Sequence, residues 1–110
     1  MAIHTFSNSG AGVAILTSDT DVYVVPVDTQ ATVHALFLSN IDGTNSVTVT
    51  VKVYDASATA TATIMKDAVI EVGNTISFDK AINLAVGDKI QVSAGATGDV
   101  EAFVSILEIS

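Results

Sequence analysis

Side chains able to do chemistry are few in this chain and of uneven kind. Twelve Asp and Glu stand beside four Lys, two His and no Cys. Asp19 and Asp21 in "SDTDV", and Asn40, Asp42 and Asn45 in "NIDGTN", offer oxygen atoms of the type that gathers around Ca²⁺. An EF-hand loop needs more acidic positions and a closing Glu, which neither stretch has, and such clusters also make turns. His4 and His34 would need a partner set to act as base or ligand, and the spacing supplies none. A glycosidase-type carboxylate pair could be assembled only in space. The serines lack a G-x-S-x-G elbow, while "GAGV" and "AGATGD" match neither the phosphate loop nor the dinucleotide fingerprint. Without cysteine there are no disulfides, no thiol catalysis and no Cys-ligated zinc or iron–sulfur site. The expectation is a protein that is not an enzyme, with no cofactor and no metal.

Charge narrows the partners. With no arginine and a net charge of −8, the chain is poorly equipped for phosphate, so neither nucleic acid nor an anionic membrane is an expected partner. Hydrophobic residues are 49% of the chain and charged ones only 15%, against the usual quarter. That low charge density predicts a homo-oligomer in which part of each surface is covered by another copy. "MAIHTFSNSG" shows no basic region ahead of a long apolar stretch, and "GVAIL" and "VYVVPV" are too short to span a bilayer, which predicts a soluble chain made in the cytoplasm.

What would position any site is a set of strands. "SVTVTVKVYD" alternates Val47, Val49, Val51 and Val53 with Thr48, Thr50, Lys52 and Tyr54, the period of a half-buried strand. Similar segments recur about every ten residues, broken by "NIDGTN", "VGN", "VGD" and "AGATGD", whose Gly, Asn and Asp suit tight turns. No long amphipathic helix is evident, and Pro26 marks an edge strand or strand end. The fold class predicted is all-β: an antiparallel β-sandwich, jelly-roll-like, of about 8–10 short strands. Val47, Val49, Val51, Val53, Ile76, Phe78, Ile90 and Val92 are the expected core. His34 shares a strand face with Thr32, Leu36 and Leu38 on a strict alternation. Residues 13–110 form the single domain. Residues 1–12, where Ile3 and Phe6 precede the flexible "SNSGAG", form an N-terminal arm that adds as a strand to a neighbour. In "VEAFVSILEI", Val100, Ala102, Val104 and Ile106 fill one face, yet Phe103, Leu107 and Ile109 lie on the other. A strand apolar on both sides is covered on both. Ile3, Phe6, Phe103, Leu107 and Ile109 are therefore the predicted partner-binding residues.

Four stretches taken in order, "VPVDTQATVHALFLSN" (25–40), "MKDAVIEVGNTISF" (65–78), "INLAVGDKIQVSA" (82–94) and "VSILEI" (104–109), resemble small β-sandwich structural proteins of tailed-bacteriophage virions. Val25, Pro26, Thr29 and Val33 match the opening of that pattern; Lys66, Asp67, Ala68, Ile70, Gly73 and Ile76 match its middle. Leu84, Gly87, Asp88, Ile90 and Val92 match its hairpin. The likeness runs from about residue 22 to 110, and nothing before it is matched. It implies a late-made head-decoration (cement) protein of the virion, assembled in the host cytoplasm. It further implies a homotrimer seated on the major capsid protein or other virion proteins where capsomers meet. A tail, neck or fibre adaptor is the alternative in the same setting. A carbohydrate-binding module is the alternative of another class, though sugar platforms use exposed aromatics and this chain has no Trp and only Tyr23 and Tyr54.

Overall fold

The computed structural model describes residues 4–15 and 17–109. Nine strands account for its regular structure: β1 (His4–Ala14), β2 (Thr20–Val24), β3 (Gln30–Asn40), β4 (Val47–Asp55), β5 (Ala60–Ile70), β6 (Thr75–Phe78), β7 (Ile82–Leu84), β8 (Lys89–Ala94) and β9 (Val100–Ile109). No helix occurs among the described residues. All pairings are antiparallel. One sheet runs β1-β9-β3-β6, with β7 also on β3, and the other runs β2-β8-β4-β5. We call them the β9 sheet and the β8 sheet. β6 and β7 are one strand interrupted at residues 79–81, since both pair with β3 in sequence. Each sheet thus interleaves strands from the two ends of the chain, the double Greek-key order of a jelly roll.

Alternating aliphatics hold the sheets together. Val47, Val49 and Val51 of β4, Ile90 and Val92 of β8, and Val100, Ala102, Val104 and Ile106 of β9 are all buried. Val53, Ile76 and Phe78 are half-buried and pack against this cluster. A buried Val or Ile contributes about 1.5–3 kcal/mol, so these rows dominate the fold's stability.

Strict alternation fails in β3. The pairing with β9 shifts between Val33, opposite Ile106, and Ala35, opposite Ser105. His34 is the extra residue of a β-bulge, which reverses the side-chain parity beyond it. Ala31 and Val33 face the core before the bulge, and Leu36 and Leu38 face it after. His34 is accordingly exposed, not on the face of Leu36 and Leu38. Bulges also shape β5, which runs as one strand through them. The register with β4 shifts twice, and Asp67 takes a φ of 50° while its N–H donates to Thr50 Oγ1 at 3.1 Å. Asp tolerates that left-handed conformation better than most residues. Similarly "SNSGAG", expected as a flexible break, continues β1 along β9 with one register shift between Ser9 and Val13.

Candidate functional site

The sequence-level candidates for chemistry are committed to holding loops and faces. Asn40 is buried: its Nδ2 donates to the carbonyls of Asn45 (2.9 Å) and Ile70 (3.0 Å), and its Oδ1 accepts the Asp42 N–H. Asp42 Oδ1 in turn accepts the Thr44 N–H at 3.1 Å. These are turn-forming roles, which the mixture of Asn, Asp and Gly suits. Asp19 pairs with Lys52 at 3.2 Å, and Asp21 with Lys89 at 3.5 Å and with Gln91 Nε2 at 2.9 Å. Lys89 also sits 5.6 Å above the Tyr54 ring. Such exposed pairs contribute little to stability, but they place charge of both signs over the outer face of the β8 sheet.

The outer face of the β9 sheet is built differently. Residues alternating with the core rows project there: Thr32, Phe37 and Ser39 from β3, Thr75 and Ser77 from β6, Asn83 from β7, and Glu101, Phe103, Ser105, Leu107 and Ile109 from β9. Among the described residues of these strands, Glu101 is the only carboxylate or ammonium on that face, and it stands at one end. Phe37 and Phe103 are directly opposite in the register, with ring centroids 6.3 Å apart and tilted by 47°. They are 39% and 37% exposed, and Ile41 just beyond them is 52% exposed. With Ser39, Glu101 and Ala102 these three line a shallow depression of about 250 Å³. An aromatic cross-strand pair stabilises a sheet modestly, yet a buried position would remove far more ring surface from water.

A second depression, about 610 Å³, lies at the opposite end of the same strands, bounded by Val27, Gln30, Val86 and Ile109 among others. Its loops are rigidly held. Asp88 is buried, its Oδ1 accepting the Ala56 N–H and its Oδ2 the Ala85 N–H, each at 2.9 Å. Gly87, with φ +82°, donates its N–H to the Val25 carbonyl at 3.2 Å. The "VGD" turn is thus the knot joining three loops. Across the sandwich, buried Tyr23 donates its hydroxyl to Glu108 Oε2 at 2.6 Å. Burial chiefly, then that bond and the nearby carboxylate charge, push the Tyr23 phenol well above its ordinary range. Neither tyrosine therefore presents a free ring: Tyr23 is inside and Tyr54 lies under Lys89.

Of the predicted partner-binding residues, Phe103, Leu107 and Ile109 share the outer row of β9, where Phe103 is exposed and the other two are half-buried. Phe6 lies in β1, opposite Leu107 in the register. Ile3 lies outside the described residues. Residues 4–12 of the expected arm run within β1 on β9 of the same chain. Phe37 and Ile41 are absent from the sequence-based set; Phe37 sits between Leu36 and Leu38, and only the parity reversal at His34 shows which of them faces out.

No protein-family model and no curated protein sequence matches the chain. Its fold is similar to that of several solved structures. A subunit of Bacillus endospore appendages, described as a family of disulfide-linked pili, is 15% identical, with a TM-score of 0.52 over 98% of this chain and 85% of that one. The VP2 subviral particle of infectious bursal disease virus is 12% identical, with a TM-score of 0.46; this chain covers 32% of it. A pentameric capsid protein from metagenomic phage sequences is 14% identical, with a TM-score of 0.41, and 60% of its length is covered. The likeness to the appendage subunit bears on the fold alone.

Proposed function

We propose that this chain is a non-enzymatic structural subunit of a bacteriophage virion, most specifically a head-decoration protein that self-associates, three copies being the preferred number, and binds across neighbouring capsid subunits. The observation that carries the reading is the charge-poor outer face of the β9 sheet, with its exposed Phe37–Phe103 pair and Glu101 as its one carboxylate among the described residues. A chain of net charge −8 repels its own copies, and a surface with little charge is where they meet at least cost. The molecule measures 50 × 27 × 20 Å, so its broad face exceeds the roughly 800 Å² per partner that a stable interface needs. The sequence resemblance supplies the virion setting. Pili of the appendage subunit are described as disulfide-linked, whereas this chain has no cysteine, so disulfides cannot join its copies.

In mechanism, a decoration protein of this kind does no chemistry. It adds buried area between shell subunits, so that outward pressure has to break further contacts before the shell opens. Gross burial is worth about 25 cal/mol per Å², most of which ordering and docking costs offset. Cryo-microscopy of the source particle tests the placement. Density for this jelly roll at repeated positions over the head is expected. Density confined to the tail supports the adaptor reading instead, and its absence from the particle overturns both. Light scattering after size exclusion tests self-association: an 11.3 kDa species at micromolar concentration would overturn it.

A further inference from the structure

Sheet edges differ sharply in how they are guarded, and the difference points to one of them. A free edge strand presents unpaired N–H and C=O groups, and proteins block it with bulges, charges, proline or brevity. Among the described strands, the β8 sheet ends in β2 and β5. β2 has five residues, a register shift next to Asp21, and Pro26 soon after. β5 carries two register shifts and the adjacent pair Lys66 and Asp67, leaving no unbroken run longer than Ala60–Thr63. On the far side of the β9 sheet, β6 and β7 are split by Asp79, Lys80 and Ala81. β1 has no such guard over its first six residues. His4–Ser9 runs in unbroken register with β9 and contains no Lys, Asp, Glu or Pro.

We infer that the His4–Ser9 edge pairs with the same edge of a second copy, antiparallel about a two-fold axis, to join two β9 sheets into one. This rests on the self-assembly reading above and names a surface for it. Three features favour a second copy over another strand. Antiparallel pairing of identical segments is self-complementary, each copy giving and receiving the same backbone hydrogen bonds. The run is uncharged, so two chains of net charge −8 approach here without placing like charges in contact. It is also continuous with the charge-poor face, since β1 lies next to β9. Pairing through the edge leaves that face free, and so links oligomers built on Phe37 and Phe103.

The absence of cysteine allows a clean test in the full chain. Thr5→Cys, Ser7→Cys and Ser9→Cys place single thiols along β1, and Thr63→Cys on the β5 edge serves as control. Under mild oxidation at micromolar concentration, the β1 variant nearest the axis is expected to form disulfide-linked dimer at least tenfold faster than Thr63→Cys. With the axis at residue 7, mixed Thr5→Cys and Ser9→Cys proteins cross-link with each other more readily than either does with itself. Cross-linking of all three β1 variants no faster than the control overturns the inference. That outcome leaves a decoration protein seen on the head unaffected. Conversely, efficient β1 cross-linking of a protein missing from the particle removes the virion reading and keeps the edge pairing.

Discussion

Replacing Asp88 by Ala should cost about 3 kcal/mol of folding free energy. Asp88 is 8% exposed, and its carboxylate accepts two amide hydrogens, from Ala56 and Ala85, each at 2.9 Å. Bonds from an N–H to a charged acceptor contribute about 1.5–3 kcal/mol each. Ala56 is half-buried but Ala85 is exposed, so water replaces part of what Ala85 loses, and the low end of the range applies. The backbone bonds of the turn survive the change, because Asp88 N–H still donates to the Ala85 carbonyl and its own carbonyl still accepts from Val25. Against a total stability of about 5–15 kcal/mol the loss is severe without abolishing the fold. It corresponds to a fall in Tm of about 12 °C or more. Urea unfolding at one fixed protein concentration measures it, since self-association would otherwise shift the midpoint. Asp88→Asn should lose about half as much, as its single carbonyl oxygen serves one amide while its NH₂ faces the other. If Asp88→Ala unfolds within about 1 kcal/mol of the parent, the knot of three loops is not what holds that end together.

Tyr23→Phe removes the hydroxyl bonded to Glu108 and should cost about 1 kcal/mol at neutral pH. Because the folded phenol titrates above the ordinary value of 10.0, the unfolded chain sheds that proton first as pH rises past 10. Parent stability should then fall with pH, while Tyr23→Phe gives the flatter alkaline limb in urea midpoints compared across that range. Gly87→Ala should destabilise by about 1–2 kcal/mol, since φ is +82° and the new Cβ would stand 3.1 Å from Ala56 Cβ; a rise in Tm would contradict the assigned turn. Phe37→Asp should leave the melting temperature nearly unchanged at the monomer level but reduce the mass seen by light scattering. An oligomer that survives it, and survives Phe103→Asp as well, is not built on this face. Parent association should weaken at low salt, where screening of the subunits' common negative charge is poorest.

Where alternation is unbroken, the sequence is a direct record of the structure. Val47, Val49 and Val51, Ile90 and Val92, and the even positions of β9 from Val100 to Ile106 all face inward as their period of two requires. Gly87 and Asp88 are legible for the same reason, because turn chemistry is local. What alternation cannot show is an inserted residue. One bulge at His34 reverses the facing of everything beyond it in β3, and an insertion of this kind leaves no mark in composition. The bulges of β5 are equally silent in the sequence: Asp67 in a left-handed conformation lets one bulged strand continue through it. Gly-rich β1 reads as a loop because propensity is weighed residue by residue, while the hydrogen bonds from β9 that order it come from a strand some ninety residues away.

The bulge at His34 links the core to the surface. Without it, a strand carrying Ala31 and Val33 inward would carry Phe37 inward as well, and Leu36 and Leu38 would face water. One extra residue lets both halves of β3 contribute aliphatics to the core and leaves Phe37 outside, opposite Phe103. Charge placement acts in the same direction. Lys52 is held by Asp19 and Lys89 by Asp21 over the β8 sheet, so both of these cations are already paired. Among the described residues of β3, β6, β7 and β9, the outer face of the β9 sheet is left with no ammonium to offer a partner and one carboxylate, Glu101. On the proposed reading, specificity there comes from aromatic and aliphatic shape together with backbone pairing at β1 rather than from ion pairs. Salt should therefore strengthen contacts between copies by screening their common charge, where an interface built on ion pairs would weaken.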